Sequence, residues 1–180
     1  MARYIAFLRA INVGGHVVKM EALRALFENM KLQEVETFIA SGNVIFRSRV
    51  ADVAALERKI AAQLQAALGY EVATFLRSDA ELAAVSGYAP FPADTIAAAH
   101  GLYVGFLTAP PTAKAKAAVL ALTDDKHEFH LAGREIYWLA HIGQSESKLS
   151  NATIERALQG RATFRNITTV RKLVAKYPAG

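Results

Sequence analysis

Cysteine is absent from the 180-residue sequence. The protein therefore has no disulfide bonds, no thiol nucleophile and no thiolate metal ligands. No apolar run reaches the roughly 18 residues that a membrane-spanning helix needs. The apolar stretch near the N-terminus is interrupted by Arg9 and lacks a cleavage site of small residues. We therefore expect no signal peptide, no contact with membranes and a soluble cytoplasmic protein.

The common catalytic and cofactor motifs are also missing. The sequence contains no GxGxxG, GxxxxGK, HExxH or GxSxG pattern, so neither a cofactor nor a metal ion is predicted. His127 and His130 would point to opposite faces of a strand and cannot share a metal. His16 is interpreted as an exposed loop residue, and Asp124 with Asp125 as a polar turn.

The composition favours a folded protein whose charge is unevenly placed. Hydrophobic residues make up 53% of the chain, enough to bury a core, and the net charge is +5. Residues 1–133 carry 13 basic and 13 acidic residues, whereas residues 134–180 carry 8 and 3. This basic C-terminal quarter would attract phosphates or nucleic acid, unless it is only the solvated face of a helix.

The first half of the chain alternates between strand and helix patterns. The patterns predict strands at 3–9, 34–40, 44–47 and 71–77, helices at 19–30 and 52–68, and a tight turn at 41–43. The order βαββαβ is typical of a ferredoxin-like unit, in which two helices cover one face of a four-stranded antiparallel sheet.

The second half resembles the first in order, although no residue-level repeat is visible. Ser78 and Glu81 fit a capping box, and the segment GYAPFPADT marks a boundary between domains 1–88 and 89–180. The patterns then predict strands at 100–107, 128–131 and 135–139, and helices at 110–122, 151–158 and 166–177. We therefore expect an α+β protein whose second half ends in two helices and lacks a final strand.

Topology brings two loops of the first half together. A crossover helix makes the first and second strands parallel, so the loop after each one lies at the same edge of the sheet. Glycine backbone, a helix N-terminus and basic side chains would suit an anion there. The predicted ligand-binding residues are Arg9, Asn12, Gly14, Gly15, Lys19, Ser41, Gly42 and Asn43, with Arg165 and Asn166 at a second helix N-terminus.

Three functions remain open, beside a purely structural role for these turns. The first is binding of a small anionic or phosphorylated ligand. The second is binding of nucleic acid through the basic C-terminal quarter. The third is an enzyme in which Ser41, Asn43 and either His16 or Arg165 act on a carbonyl or phosphoryl group. A monomer is favoured as the oligomeric state.

Several segments resemble one bacterial family, domain of unknown function 1697. They are LRAINVGG, KMEALRALF, VETFIASGNVIF, YVGFL, GREIYWL, SKLS and RNITTVRKL. The resemblance implies an α+β protein built from ferredoxin-like subdomains, and it implies no established activity. Ile167 stands where many members carry tryptophan, which alters ligand binding if that aromatic stacks on a ligand and changes nothing if it packs.

Overall fold

The computed structural model describes residues 1–12, 14–39 and 42–180. The strands are β1 (Ala2–Leu8), β2 (Gln33–Thr37), β3 (Asn43–Ser48), β4 (Thr74–Ser78), β5 (Gly101–Phe106), β6 (His127–Ala132), β7 (Glu135–Ala140) and β8 (Thr163–Asn166). The helices are α1 (Met20–Asn29), α2 (Val53–Leu68), α3 (Asp79–Gly87), α4 (Ala93–Ala98), α5 (Ala113–Leu120), α6 (Asn151–Leu158) and α7 (Ile167–Lys176). Within the described part of the chain, every helix is too short or too polar to cross a bilayer.

The chain divides into two compact units. The first unit comprises Met1–Leu82 together with Pro178–Gly180, and the second comprises Ala83–Tyr177. The division falls within α3, whose start the capping box at Ser78 predicts, whereas α4 begins within the segment 87–95 that was predicted to be a linker. Pro92 serves as the N-cap of α4, so a proline that marks a turn in the sequence here introduces a short helix.

The first unit has the predicted ferredoxin-like topology. Its sheet has the order β2-β3-β1-β4, and each neighbouring pair is antiparallel. Helices α1 and α2 contribute Leu23, Phe27 and Ile60 to a core that also contains Ala6 and Phe46 of the sheet. The apolar residues recur at helical spacing, which is why each helix buries one face against the sheet.

Local signals at the helix ends also hold. Gly69 ends α2 in the left-handed conformation with φ 82°. Ser78 and Glu81 form the predicted reciprocal cap, since each backbone N–H donates to the other side chain. Strand β2, however, ends at Thr37 rather than at residue 40, and its register shifts between Gln33 and Glu36. A bulge of this kind is not visible in an alternating pattern.

The second unit repeats the same sheet, with the order β6-β7-β5-β8. The predicted absence of a final strand is therefore wrong, because β8 lies between the last two helices and pairs with β5. This strand has four residues and a half-buried pattern, so it carries little periodic signal. Gly105 of β5 makes room for it: a Cβ there would lie 2.5 Å from the ring of Phe164.

Each unit contains a corresponding internal side-chain contact that the sequence did not reveal. The buried Glu57 on α2 accepts the backbone N–H of Leu76 in β4 at 2.8 Å. The buried Glu155 on α6 accepts the N–H of Ala162, just before β8, at 3.3 Å. In each unit the helix that directly precedes the last strand, α2 or α6, thus uses a buried carboxylate to hold the segment of that strand.

Candidate functional site

The two predicted loops meet at the end of β1. Leu8 donates its backbone N–H to the carbonyl of Gly42 at 2.8 Å. Gly42 has a φ of 77°, and a Cβ on it would lie 3.0 Å from Leu8 Cβ and 3.0 Å from Ile11 Cγ2. The predicted adjacency of the loops is therefore confirmed, and glycine is required at residue 42 both for its backbone conformation and for the close approach.

The loop between β1 and α1 is held at both ends. Asn12 Oδ1 accepts the backbone N–H of Val18 at 2.8 Å, and the Tyr70 hydroxyl donates to the carbonyl of Ile11 at 2.6 Å. The ring of His16 stacks on Tyr70, with 4.1 Å between ring centroids. These contacts hold Ile11, Asn12, His16 and Val18 in place, although most of the loop's described residues are exposed.

Gly14 and Gly15 form the exposed tip of this loop. Both have positive φ, at 62° and 82°, and open space surrounds the position of a Gly15 Cβ. Among the described residues, neither glycine N–H has a hydrogen-bond acceptor. Backbone donors presented in this way can bind a negatively charged group without obstruction by side chains.

Two predicted cations flank the loop in the sequence. Arg9 follows β1, is half-buried and donates its backbone N–H to Ala73 at 2.9 Å. Lys19 is exposed and is the N-cap of α1, where within the described residues no side chain caps the first turn. In contrast, α2 is capped by Asp52 and α6 by Ser150.

The turn before β3 has a mainly structural arrangement. Asn43 is 1% exposed, and its Nδ2 donates to the carbonyl of Phe38 at 3.0 Å. The Phe38 N–H donates in return to the Asn43 carbonyl at 3.1 Å. Asn43 thus closes the β2–β3 connection, while Ser41 and Val13 lie outside the described residues.

Arg165 and Asn166 belong to the second unit. Arg165 Nη1 donates to Thr163 Oγ1 at 2.8 Å and to the Phe164 carbonyl at 2.9 Å. Burial lowers the pKa of Arg165 to about 10, so the guanidinium remains charged at neutral pH. Asn166 caps α7 by accepting from both the backbone N–H and the hydroxyl of Thr168.

Helix α7 carries the predicted basic face. Its buried residues include Ile167 and Val170, whereas Arg171 and Lys172 are exposed. Ile167, at the position where the resemblance implies tryptophan in many members, is 7% exposed and packs in the core rather than lying open to a ligand. The binding of nucleic acid by this face stays a prediction.

Sequence reasoning missed a buried polar chain in the second unit. Trp138 Nε1–H donates to His127 Nδ1 at 3.0 Å, and His127 Nε2 lies 2.7 Å from Ser147 Oγ. Because indole is only a donor, a neutral His127 carries its proton on Nε2 and donates to Ser147. His127 in this tautomer cannot deprotonate the serine, so the pair is not an activated nucleophile. One sequence signal could have indicated this chain, because the indole N–H of a buried tryptophan needs a hydrogen-bond acceptor.

Clusters suited to metal binding do not occur among the described residues: no three histidine, aspartate or glutamate side chains come together there. The enzyme hypothesis depends on Ser41, which lies outside the described residues, and it stays a prediction. The candidate site thus consists of exposed backbone donors at Gly14 and Gly15, on a loop that Arg9 and Lys19 flank in the sequence.

Fold and site together define a duplicated ferredoxin-like α+β protein with a glycine-rich loop at one sheet edge. The sequence model of the family described as protein of unknown function (DUF1697) matches residues 1–137. The chain belongs to this family, which confirms the resemblance seen in the sequence. No protein with a curated description matches the chain.

A solved structure supports the fold over the whole chain. A conserved bacterial protein from Streptococcus pneumoniae superposes with a TM-score of 0.77 at 24% sequence identity, covering 99% of each chain. At this level of identity the likeness concerns the architecture. The match supports the α+β fold of each four-stranded sheet with its helices.

Proposed function

We propose that the protein binds a small anionic or phosphorylated ligand at the loop between β1 and α1. The observation that carries the proposal is the pair of exposed N–H groups at Gly14 and Gly15, which lack acceptors among the described residues. They stand on a loop whose ends are fixed by Asn12 and Tyr70. A site that is ordered before binding loses less entropy when the ligand arrives.

The neighbouring charges support the same ligand class. Arg9 and Lys19 border the loop, and the uncapped first turn of α1 offers further N–H donors with partial positive charge. Glu21 in that first turn is the opposing charge. Asn43 and Gly42 act in this proposal by holding the adjacent turn in place rather than by touching the ligand.

Isothermal titration with inorganic phosphate and pyrophosphate tests the proposal. Lys19→Gln should weaken binding about two- to fivefold, the effect of losing one exposed charge contact. Glu21→Gln should strengthen binding by a similar factor, because it removes the like charge. Arg24→Gln is the matched control, since Arg24 is an exposed cation of α1 whose partner is Glu28.

Two results would reject this function. One is the absence of heat from either anion at low ionic strength. The other is binding that Lys19→Gln and Arg24→Gln weaken equally, because that pattern reports only overall charge. The cytoplasmic location belongs to the same proposal, and fractionation of cells that produce the protein tests it.

A further inference from the structure

A cavity lies in the first unit near the start of β1, at the opposite end of that strand from the glycine loop. It has a volume of about 260 Å³ and is formed by the end of α1, the start of β2, the end of β3 and the first half of α2. We call it the basic cavity and define it by Lys31, Leu32, Arg47, Arg49, Leu56 and Lys59. The seven residues of β1 span about 20 Å, so this cavity is separate from the glycine loop.

The floor of the basic cavity is apolar. Leu32 and Leu56 line it and are 7% and 3% exposed, as members of the core under the sheet. Met30 and Val50 add further apolar surface to its walls. A ligand that enters this cavity would therefore bury an apolar part against the core, which is the usual driving force for small-molecule binding.

The rim of the basic cavity is cationic. Arg47 Nε lies 2.7 Å from Glu34 Oε2, and Arg47 Nη1 donates to the carbonyl of Met1 at 3.3 Å. Lys31, Arg49 and Lys59 are exposed, and none of them forms an ion pair within the described residues. An apolar floor below three unbalanced positive charges favours a molecule with one apolar and one anionic end.

The backbone at Lys31 is a further sign that this rim is not arranged only for stability. Lys31 follows α1 with a φ of 62°, in the left-handed conformation that usually selects glycine after a helix. A side chain in this conformation costs stability that glycine would not. The strained position holds a lysine at the mouth of the cavity.

We infer that the basic cavity binds a small amphipathic anion. The ligand class is an aromatic ring or short acyl chain that carries a phosphate, carboxylate or sulfonate group. The apolar part would lie against Leu32 and Leu56, and the anionic group would meet Lys31, Arg49 and Lys59. This inference does not depend on the function proposed for the glycine loop.

The dye 1-anilinonaphthalene-8-sulfonate, titrated into the full chain, is a direct probe because its fluorescence rises in an apolar site. We expect one saturable site, and about tenfold or more weaker binding of N-phenyl-1-naphthylamine, which lacks the sulfonate. Hexyl phosphate should displace the dye at a much lower concentration than inorganic phosphate. The glycine loop would not discriminate between hexyl phosphate and inorganic phosphate, because its backbone donors would contact only the anionic group.

Substitutions on the rim localise the site. Lys59→Gln and Arg49→Gln should each raise the dissociation constant of the dye about two- to fivefold. Arg58→Gln is the matched control: Arg58 is the exposed neighbour of Lys59 on α2, lies outside the cavity lining and should leave the affinity unchanged.

Lys31→Gly distinguishes an effect on dye binding from an effect on the stability of the fold. It removes a rim charge and relieves the left-handed backbone, so dye binding should weaken while the midpoint of urea unfolding rises. Equal affinity for the charged and uncharged dyes would overturn the inference. The inference would also be overturned if the Lys59, Arg49 and Lys31 variants bound the dye as tightly as the Arg58 control does.

Discussion

The buried chain from Trp138 through His127 to Ser147 makes the second unit sensitive to acid. His127 is 3% exposed, and burial is the main cause that lowers its pKa. His141 and Lys126 lower this pKa further, whereas Asp124 and Asp125 raise it. A protonated His127 would direct two donors at the Trp138 indole N–H and Ser147, so the hydrogen bond from Trp138 would be lost.

The size of the effect follows from proton linkage. In the unfolded chain His127 takes up a proton near its ordinary pKa of about 6.5, whereas the folded protein resists protonation. The stabilisation is therefore complete above that pH and is lost as the pH falls toward the lowered pKa of the folded state. Between about pH 8 and pH 5.5, protonation of this one group in the unfolded chain lowers the free energy of unfolding by up to about 1.4 kcal/mol.

His127→Gln is the informative substitution, because its amide oxygen can accept from Trp138 and its amide nitrogen can donate to Ser147. We expect the variant to lose about 1 kcal/mol near pH 8 and to lack this part of the acid dependence. Urea unfolding followed by circular dichroism and by the fluorescence of Trp138, the single tryptophan, measures both quantities. If wild type and variant lose the same stability between the two pH values, the reasoning is refuted.

Three further predictions concern packing and hydrogen bonding, and urea unfolding tests each of them. Gly42→Ala should lower the free energy of unfolding by about 2–4 kcal/mol, because it adds backbone strain and a close contact. Gly69→Ala, at a similar φ but in open space, should lower it by only about 1 kcal/mol. Equal losses in the two variants would contradict the close contact at Gly42. Gly105→Ala should lower the free energy of unfolding by about 1–3 kcal/mol, because the new methyl group would overlap the ring of Phe164. An unchanged stability would contradict the pairing of β5 with β8. Glu57→Ala should cost about 1–3 kcal/mol by leaving a buried N–H of β4 unsatisfied, and Glu57→Gln should recover part of this loss.

Periodicity and helix-end signals predicted most of the architecture. The recurrence of Leu23 and Phe27 on one face, the stop at Gly69 and the reciprocal cap of Ser78 with Glu81 all hold in the structure. These signals succeed because each depends on residues a few positions apart. The crossover rule then placed the two loops at one sheet edge without any knowledge of side-chain contacts.

The features that sequence reasoning missed depend on distant contacts. Strand β8 is stabilised by pairing with β5 and by the space that Gly105 leaves for Phe164, and neither is encoded within β8 itself. The basic cavity combines Lys31 from the turn after α1, Arg49 from the loop after β3 and Lys59 from α2. No short window contains such a set, so charge counting along the chain showed only the C-terminal excess.

The strand order within each unit has a consequence for folding. In the first unit β1 is an inner strand that pairs with β4, where Tyr4 faces Ser78, and in the second unit β5 pairs with β8, where Tyr103 faces Asn166. The first strand of each unit can therefore pair fully only after the last strand has been made, and residues 9–73 separate the two strands in the first unit and residues 107–162 in the second. Long-range pairing of this kind slows the search for the native state. A nascent chain that ends before β4 would expose the backbone of β1 along one side, and the newly made protein would then be most prone to pair with other molecules.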